Sequence, residues 1–562
     1  MTLTGKPTAH FVWRVILFGA LLAISAAVPA QEASPSSSSP RPGLVFERGV
    51  DVLFPAPLGA AGRWALLDHH GRMVQEGTLT VGGERELRLG ALESGVYYFF
   101  WGLDEGRTPN RLSPSSRRLS CMVTPAPERL PEDHFFAFSY PGAPGALVEE
   151  KTGPGSDFQF LFSVAPWLGM RRLQCSFGPE HAPAVGRSGD EIVRDWGLLD
   201  RLVGMASFSK LRFVAVLEDP PGAPLSAKST LAAGLRPALP PVEDPSIAPE
   251  APANALDESY VRDLTRHFGF KLDEFLIQPG PNRSDRFVSI EAWAKWAKPL
   301  YQAVKARNRL ACVAVGPLET LPDYSGFAHP DLVEGLLFGP GAAWFDALDH
   351  PAEGGLDRSK RLALALATTR GDAPAKEVAV HRASIRRPDD SIAGEFVQAA
   401  EMAKKIVWFR HRGYRRLAAG ELIDNEPLGE GFFTRRSAGA DPEPRMVAAA
   451  WVQAVERLAG SRPLGQFGFA ADTHEIYAFE RLGETVFVAW VPVPEGREAG
   501  GDRRIAVTLK WPDGTAAQVL DILGRDALSQ RLVRRSAGKF DIILTEQPVY
   551  VVVPATGKAV GW

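Results

Sequence analysis

The chain has 562 residues, 45% of them hydrophobic and 23% charged, with a net charge of −3. That length holds several domains, and the balance is that of an ordinary globular protein. There is no basic face of the kind non-specific nucleic-acid binding needs, and Cys121, Cys175 and Cys312 lie too far apart for a disulfide framework or a zinc site. Buried free thiols are the expectation for all three.

Lys6 and Arg14 flank the start of an apolar run over 15–23, and Val28-Pro29-Ala30 sets small residues at a cleavage position. The pattern predicts a signal peptide over 1–30 and a secreted or periplasmic location. An uncleaved anchor would want a longer apolar run with a charged stop behind it, and a lipoprotein anchor would want a Cys there. Residues 31–42 are rich in Ser and Pro and read as a disordered linker. No other segment has the length to span a membrane.

Residues 43–127 read as a β-sandwich. Short apolar runs recur between turn signals: Trp64-Ala65-Leu66-Leu67 runs into the turn Asp68-His69-His70-Gly71, 86–89 alternates in polarity, and 95–100 is an apolar run. From 128 to 460 strand-like runs alternate with amphipathic helices. The predicted strands are 134–140, 172–177, 211–217, 275–278, 311–315, 344–348, 378–382 and 417–423. Ile192, Trp196, Leu199 and Val203 make one predicted helical face; Trp293, Leu300 and Val304 make another. Eight strands with helices between them predict an α/β fold, a (β/α)8 TIM barrel, with a long Pro/Ala-rich insertion at 222–251 after the third strand. An open doubly wound sheet would want a Gly-rich phosphate turn after an early strand, and none is present. Residues 461–556 turn β again, with strands at 476–479, 486–490, 505–509 and 549–553 and a turn at Pro512-Asp513-Gly514, and read as a second β-sandwich.

Several strings resemble clan A glycoside hydrolases, close to the family 39 xylosidase-like enzymes. Trp196-Gly197-Leu198-Leu199-Asp200, residues 211–217 and Pro220-Pro221 resemble that family's second helix and third strand. Residues 261–268 and Phe275-Leu276-Ile277-Gln278-Pro279-Gly280-Pro281-Asn282 resemble the segment that reads F-E-I-W-N-E-P-N in active members. Phe345-Asp346-Ala347-Leu348-Asp349-His350-Pro351 resembles the sixth strand, Lys376-Glu377-Val378-Ala379-Val380-His381-Arg382 the seventh, and 545–550 the closing strand.

The resemblance implies a retaining mechanism, in which two carboxyls stand about 5–5.5 Å apart. This chain departs from it at both positions. Gly280 stands where the acid/base Glu is expected, and Arg382 where the nucleophile is expected. Glycine has no side chain, and an arginine stays protonated and cannot attack. Glu274 and Glu377 lie too far back on their strands to substitute, because barrel chemistry occurs at the C-terminal strand ends. Glu218 and Asp219 after strand three, and Glu421, Asp424 and Glu426 around strand eight, are better placed for a relocated pair; their other reading is hydrogen bonding to sugar hydroxyls or pairing with Arg382. The string Asn425-Glu426-Pro427 spells N-E-P but belongs to the strand-eight loop.

Candidate ligand contacts are Asn282, His350, His381, Arg382, Trp344 and Asp424. His350, His381 and Glu421 lack metal-ligand spacing, so neither a metal nor a cofactor is expected, and no HExxH, G-x-S-x-G or Walker motif occurs. The resemblance implies a carbohydrate partner and, with both carboxylates replaced, a degenerate enzyme that binds polysaccharide. Arg382 with His381, Arg386 and Arg387 favours an anionic glycan unless nearby carboxylates neutralise it. Two rival readings remain: an active hydrolase using Glu218 and Glu421, and a structural protein of the envelope.

Overall fold

The computed structural model describes residues 43–554, except 58–59, 81–82, 84–85, 104–116, 141–156, 190, 219–255, 279, 281, 283–288, 372–375, 390, 425–428, 436–440, 468–472, 494–502, 511–516, 528–531 and 537–538. The expected signal peptide, the Ser/Pro linker, the 222–251 insertion, Asp219, the N-E-P string and the Pro512-Asp513-Gly514 turn lie outside the described residues.

At the centre is a closed barrel of eight parallel strands in sequential order: Phe136–Ser139, Arg172–Ser176, Arg212–Leu217, Leu272–Ile277, Cys312–Val315, Ala347–Glu353, Glu377–Ser384 and Arg416–Ala419. Each overlaps a strand expected from the apolar runs, although the eighth ends at Ala419, short of the expected 423. Helices follow them, and several start at caps that the sequence supplies. Asp257, Ser289 and Ser391 accept hydrogen bonds from the backbone N–H of Tyr260, Ala292 and Gly394, satisfying donors that a helix start leaves open. The last barrel helix is Met446–Leu458.

The N-terminal region pairs a five-stranded sheet (Val45–Glu47, Arg117–Thr124, Gly95–Leu103, Gly62–Asp68, Met73–Leu79) with the ribbon Asp51–Pro55/Glu86–Ala91. The strand Gly95–Leu103 explains its continuous apolar run. Successive side chains point to opposite faces of a sheet. Tyr97 and Phe99 enter the sandwich core with Phe54 and Trp64, whereas Val96, Tyr98 and Phe100 join the core shared with the barrel. Both faces are buried, so no polar alternation is required. The C-terminal region repeats the device. Its five-stranded sheet sends Phe487 and Ala489 inward and Val486, Val488 and Trp490 toward the barrel side.

Two other elements differ from expectation. Ile192 lies not on a helix but on the strand Glu191–Arg194, hairpin partner of Ala184–Ser188; the helix begins at Gly197, with Trp196 as its cap. Trp196 stacks on His267 at 4.9 Å, and the Asp195 carboxylate accepts from Gly197 N–H, which sets the start there. The sixth barrel strand runs from Ala347 to Glu353, later than expected, so His350 sits within it and Trp344 lies before it. The three cysteines are buried and unpaired. Among the described residues, no helix is long and apolar enough to cross a membrane.

Candidate active site at the barrel mouth

The barrel interior is charged at its floor. Arg172, Glu274, Asp349 and Arg416 come from strands two, four, six and eight, as expected for one layer of a TIM barrel filled by alternate strands. Glu274 pairs with both Arg172 and Arg416, and Arg416 also holds Asp349; all four are buried. Arg415 approaches Glu274 at 3.5 Å. Burial disfavours the charge on Glu274, but the guanidiniums of Arg416, Arg172 and Arg415 outweigh it and hold the carboxyl below its usual range. Among the described residues Asp349 is paired with Arg416, which it shares with Glu274, and burial pushes it up to about 7. This floor layer lies at the strand starts, away from the end where barrel chemistry occurs.

One level up, His381 projects into the barrel and meets Gln174 across it, Nδ1 to Nε2 at 2.6 Å. Burial, helped by Arg416 and Arg382, pushes the His381 pKa down to about 3, so it is neutral.

At the mouth, Gly280 is buried, and a Cβ built there would lie 2.9 Å from the backbone carbonyl oxygen of Pro317. That contact is closer than real Cβ atoms tolerate, and backbone does not yield as a flexible side chain does. Asn282, two residues on, is consumed by the fold. Its amide donates to Glu319 O at 2.7 Å and Ala328 O at 2.8 Å, and its oxygen accepts from Glu319 N–H at 3.0 Å. It ties the strand-four loop to the strand-five loop and is fully buried.

Arg382 stands at the mouth between two carboxylates, Glu430 at 3.2 Å and Glu421 at 3.6 Å. Glu430 comes from the loop between Ile423–Asp424 and Phe433–Thr434, a small sheet above strand eight. Nearby, Tyr324 donates to Glu353 at 3.1 Å, and the Arg358 guanidinium lies over its ring. Buried Lys405 joins the ends of strands six and seven by donating to Ala352 O and Ser384 O. Burial pushes its pKa down to about 7.

The structure thus gathers Gly280, Arg382, Glu421 and, deeper, His381. Glu218 directly follows the third strand at the same end. Three expected contacts lie elsewhere. His350 faces outward, because neighbours on a strand alternate and Asp349 takes the interior; its ring bonds Tyr414 Oη at 3.1 Å and packs on Phe409. Trp344 precedes strand six, at the opposite end from the mouth, and packs against Tyr301 and Lys298 of the helix Ile290–Arg307. Asp424 is buried, accepting from Gly431 N–H at 3.1 Å and facing Arg445 at 3.3 Å, so it braces the strand-eight loop. His350 and His381 point to opposite sides of the barrel wall and do not converge with Glu421 on a metal.

Glu430, Glu353, Tyr324 and Lys405 were missed. The signal for Glu430 was present, a carboxylate between Gly429 and Gly431 shortly after the last strand. Glu353 was hidden by the misplaced sixth strand.

No protein-family model matches the sequence, and a search of curated proteins finds no match. Solved structures resemble this chain to different degrees. A family 39 glycoside hydrolase from the gut symbiont Bacteroides cellulosilyticus WH2 aligns over 92% of this chain and 99% of its own, with a TM-score of 0.61 and 14% identity. The endo-beta1,6-glucanase BT3312 aligns over 88% and 99%, at TM-score 0.46 and 10% identity. A family 39 beta-xylosidase from Caulobacter crescentus aligns over 76% and 97%, at TM-score 0.43 and 13% identity. The architecture is a family 39-like (β/α)8 barrel with flanking β-sandwiches.

Proposed function

We propose that this is an exported, glycoside-hydrolase-like protein that binds carbohydrate at the barrel mouth and does not hydrolyse it by the retaining route. The observation that carries the reading is Gly280, whose Cα faces the Pro317 carbonyl so closely that no side chain, least of all a glutamic acid, fits without moving the backbone. A retaining hydrolase needs one carboxyl to attack and another to shuttle the proton. Arg382 adds to this, since it occupies the nucleophile column and is itself engaged by two carboxylates.

The charge at the mouth bears on the ligand. Arg382 by itself favours uronate or sulfated glycans. With Glu421 and Glu430 within salt-bridge reach, its field is neutralised, and hydroxyl-rich neutral sugars fit better. The Tyr324 hydroxyl and the carboxylates of Glu353, Glu421 and Glu430 offer hydrogen-bond partners to such hydroxyls.

The second reading is a hydrolase with relocated carboxylates. Glu421, Glu430 and Glu353 support it by standing at the strand ends where barrel chemistry occurs. A glycan array combined with a reducing-end assay on the purified chain separates the two. Binding of neutral oligosaccharides without release of reducing ends supports the first. Turnover abolished by Glu430→Gln or Glu421→Gln establishes the second, and neither binding nor turnover removes both.

A further inference from the structure

The turn Asp68-His69-His70-Gly71 plays no part in the barrel mouth. It joins Gly62–Asp68 to Met73–Leu79 in the N-terminal sheet and faces Asp521 in the turn after Gln518–Leu520 of the C-terminal sheet. The Asp521 carboxylate is locked in place. Its Oδ1 accepts from the backbone N–H groups of Leu523 at 2.8 Å and Arg525 at 3.0 Å. That leaves Oδ2 aimed at two imidazoles, 3.0 Å from His69 Nε2 and 3.3 Å from His70 Nε2.

Two consecutive histidines turn the same nitrogen toward one oxygen, their rings 4.0 Å apart. The three ligand atoms all lie within 4.8 Å of one another. A tetrahedral ion with bonds of about 2.0–2.1 Å sets its ligand atoms roughly 3.3 Å apart, close to the two distances from Asp521 Oδ2 to the imidazole nitrogens. The surroundings suit a ligand set. His69 is enclosed, with a side-chain exposure of 0%, Asp521 has 12%, and His70 has 29%, so the cluster opens to solvent on the His70 side. Phe396, from a barrel helix, stacks parallel to His69 at 6.5 Å. The nearby Arg525 guanidinium is already paired with Asp68 at 2.8 Å, so it adds no unmatched positive charge.

We infer that His69, His70 and Asp521 form a three-ligand site for a divalent ion of the zinc class, with a water as fourth ligand, which staples the N-terminal sandwich to the C-terminal one. Two imidazoles and one carboxylate select zinc-class ions over magnesium or calcium, which prefer all-oxygen shells. The ligands come from two domains far apart in sequence, so bound metal opposes their separation.

The test uses the full mature chain, free of any histidine tag, stripped with chelator and then given Zn²⁺ and dialysed. One zinc per chain by mass spectrometry is expected, with the thermal midpoint raised by at least about 2 °C. Co²⁺ in place of zinc should give a visible absorption band. His70→Gln and Asp521→Asn should abolish retention and the midpoint rise. His70 is the most exposed of the three, so His70→Gln is expected to match the metal-free wild type in circular dichroism and midpoint. No zinc retained by wild type, or retention unchanged in both variants, overturns the site and leaves a metal-free hydrogen-bonded trio. Glycan binding plays no part in this readout, so the two proposals fail independently.

Discussion

Arginine meets carboxylate at both ends of the barrel, under different conditions. At the floor, Arg172, Arg416, Glu274 and Asp349 are sealed from water. At the mouth, Arg382 is 32% exposed and Glu421 44%. In the buried layer, each charge depends on its neighbours, because an unpaired ion in a low-dielectric interior is costly. At the mouth, water screens each pair and substitutes for a lost partner. The same residue chemistry therefore carries structural integrity at one end and leaves an adjustable surface at the other.

The hardest break of this contrast is Glu274→Leu. It strands Arg172 and Arg416 without their shared carboxylate and should cost about 3–5 kcal/mol, read from urea unfolding. A loss under about 1 kcal/mol would mean that the floor network does not hold the barrel. Gly280→Glu comes next. It forces a side chain against the Pro317 carbonyl and should cost about 1–3 kcal/mol by overpacking, without creating hydrolysis in a reducing-end assay. A stable, hydrolytic Gly280→Glu protein would show that the column is open after all.

The pH dependence sharpens the comparison within the floor itself. The Asp349 carboxyl is raised in the folded chain from 3.8 to about 7. The folded state thus binds the extra proton between those values, and the contribution of Asp349 to stability falls as pH rises through that window. Asp349→Asn should flatten that part of the stability profile. Glu274 has the opposite sign, because its folded pKa is depressed. Its contribution is present above the ordinary carboxylate range and is lost as pH falls through the folded value.

The smallest effect is expected at the mouth. Arg382→Gln should change stability by less than about 1 kcal/mol. It should leave affinity for neutral oligosaccharides within a few-fold while freeing Glu421 and Glu430. A selective loss of binding to acidic glycans in that variant would reinstate the anionic ligand.

Much of the fold was legible because period and length are local properties. The run 95–100 reads as a strand, and 172–177 and 211–217 as barrel strands, from the residues alone. The misreadings occurred where a local pattern was ambiguous. Ile192 has helical spacing to Trp196, but a hairpin ends before the helix starts. The sixth strand hides its register because Asp349, a carboxylate, points into the barrel and His350, also polar, points outward.

The sequence by itself determined the alternation of strands and helices, the β-rich flanks, and the residues at the two positions where the resemblance expects carboxylates. Gly280 and Arg382 can be read without coordinates, since identity at a position needs no geometry. Only the tertiary structure decided what surrounds them: the Pro317 carbonyl against Gly280, Glu430 beside Arg382, the outward turn of His350, and the meeting of His69 and His70 with Asp521. Each is a contact between segments remote in the chain. Such contacts are set by barrel closure and by the docking of sheets on either side of it, and residue order alone does not encode them in any local pattern.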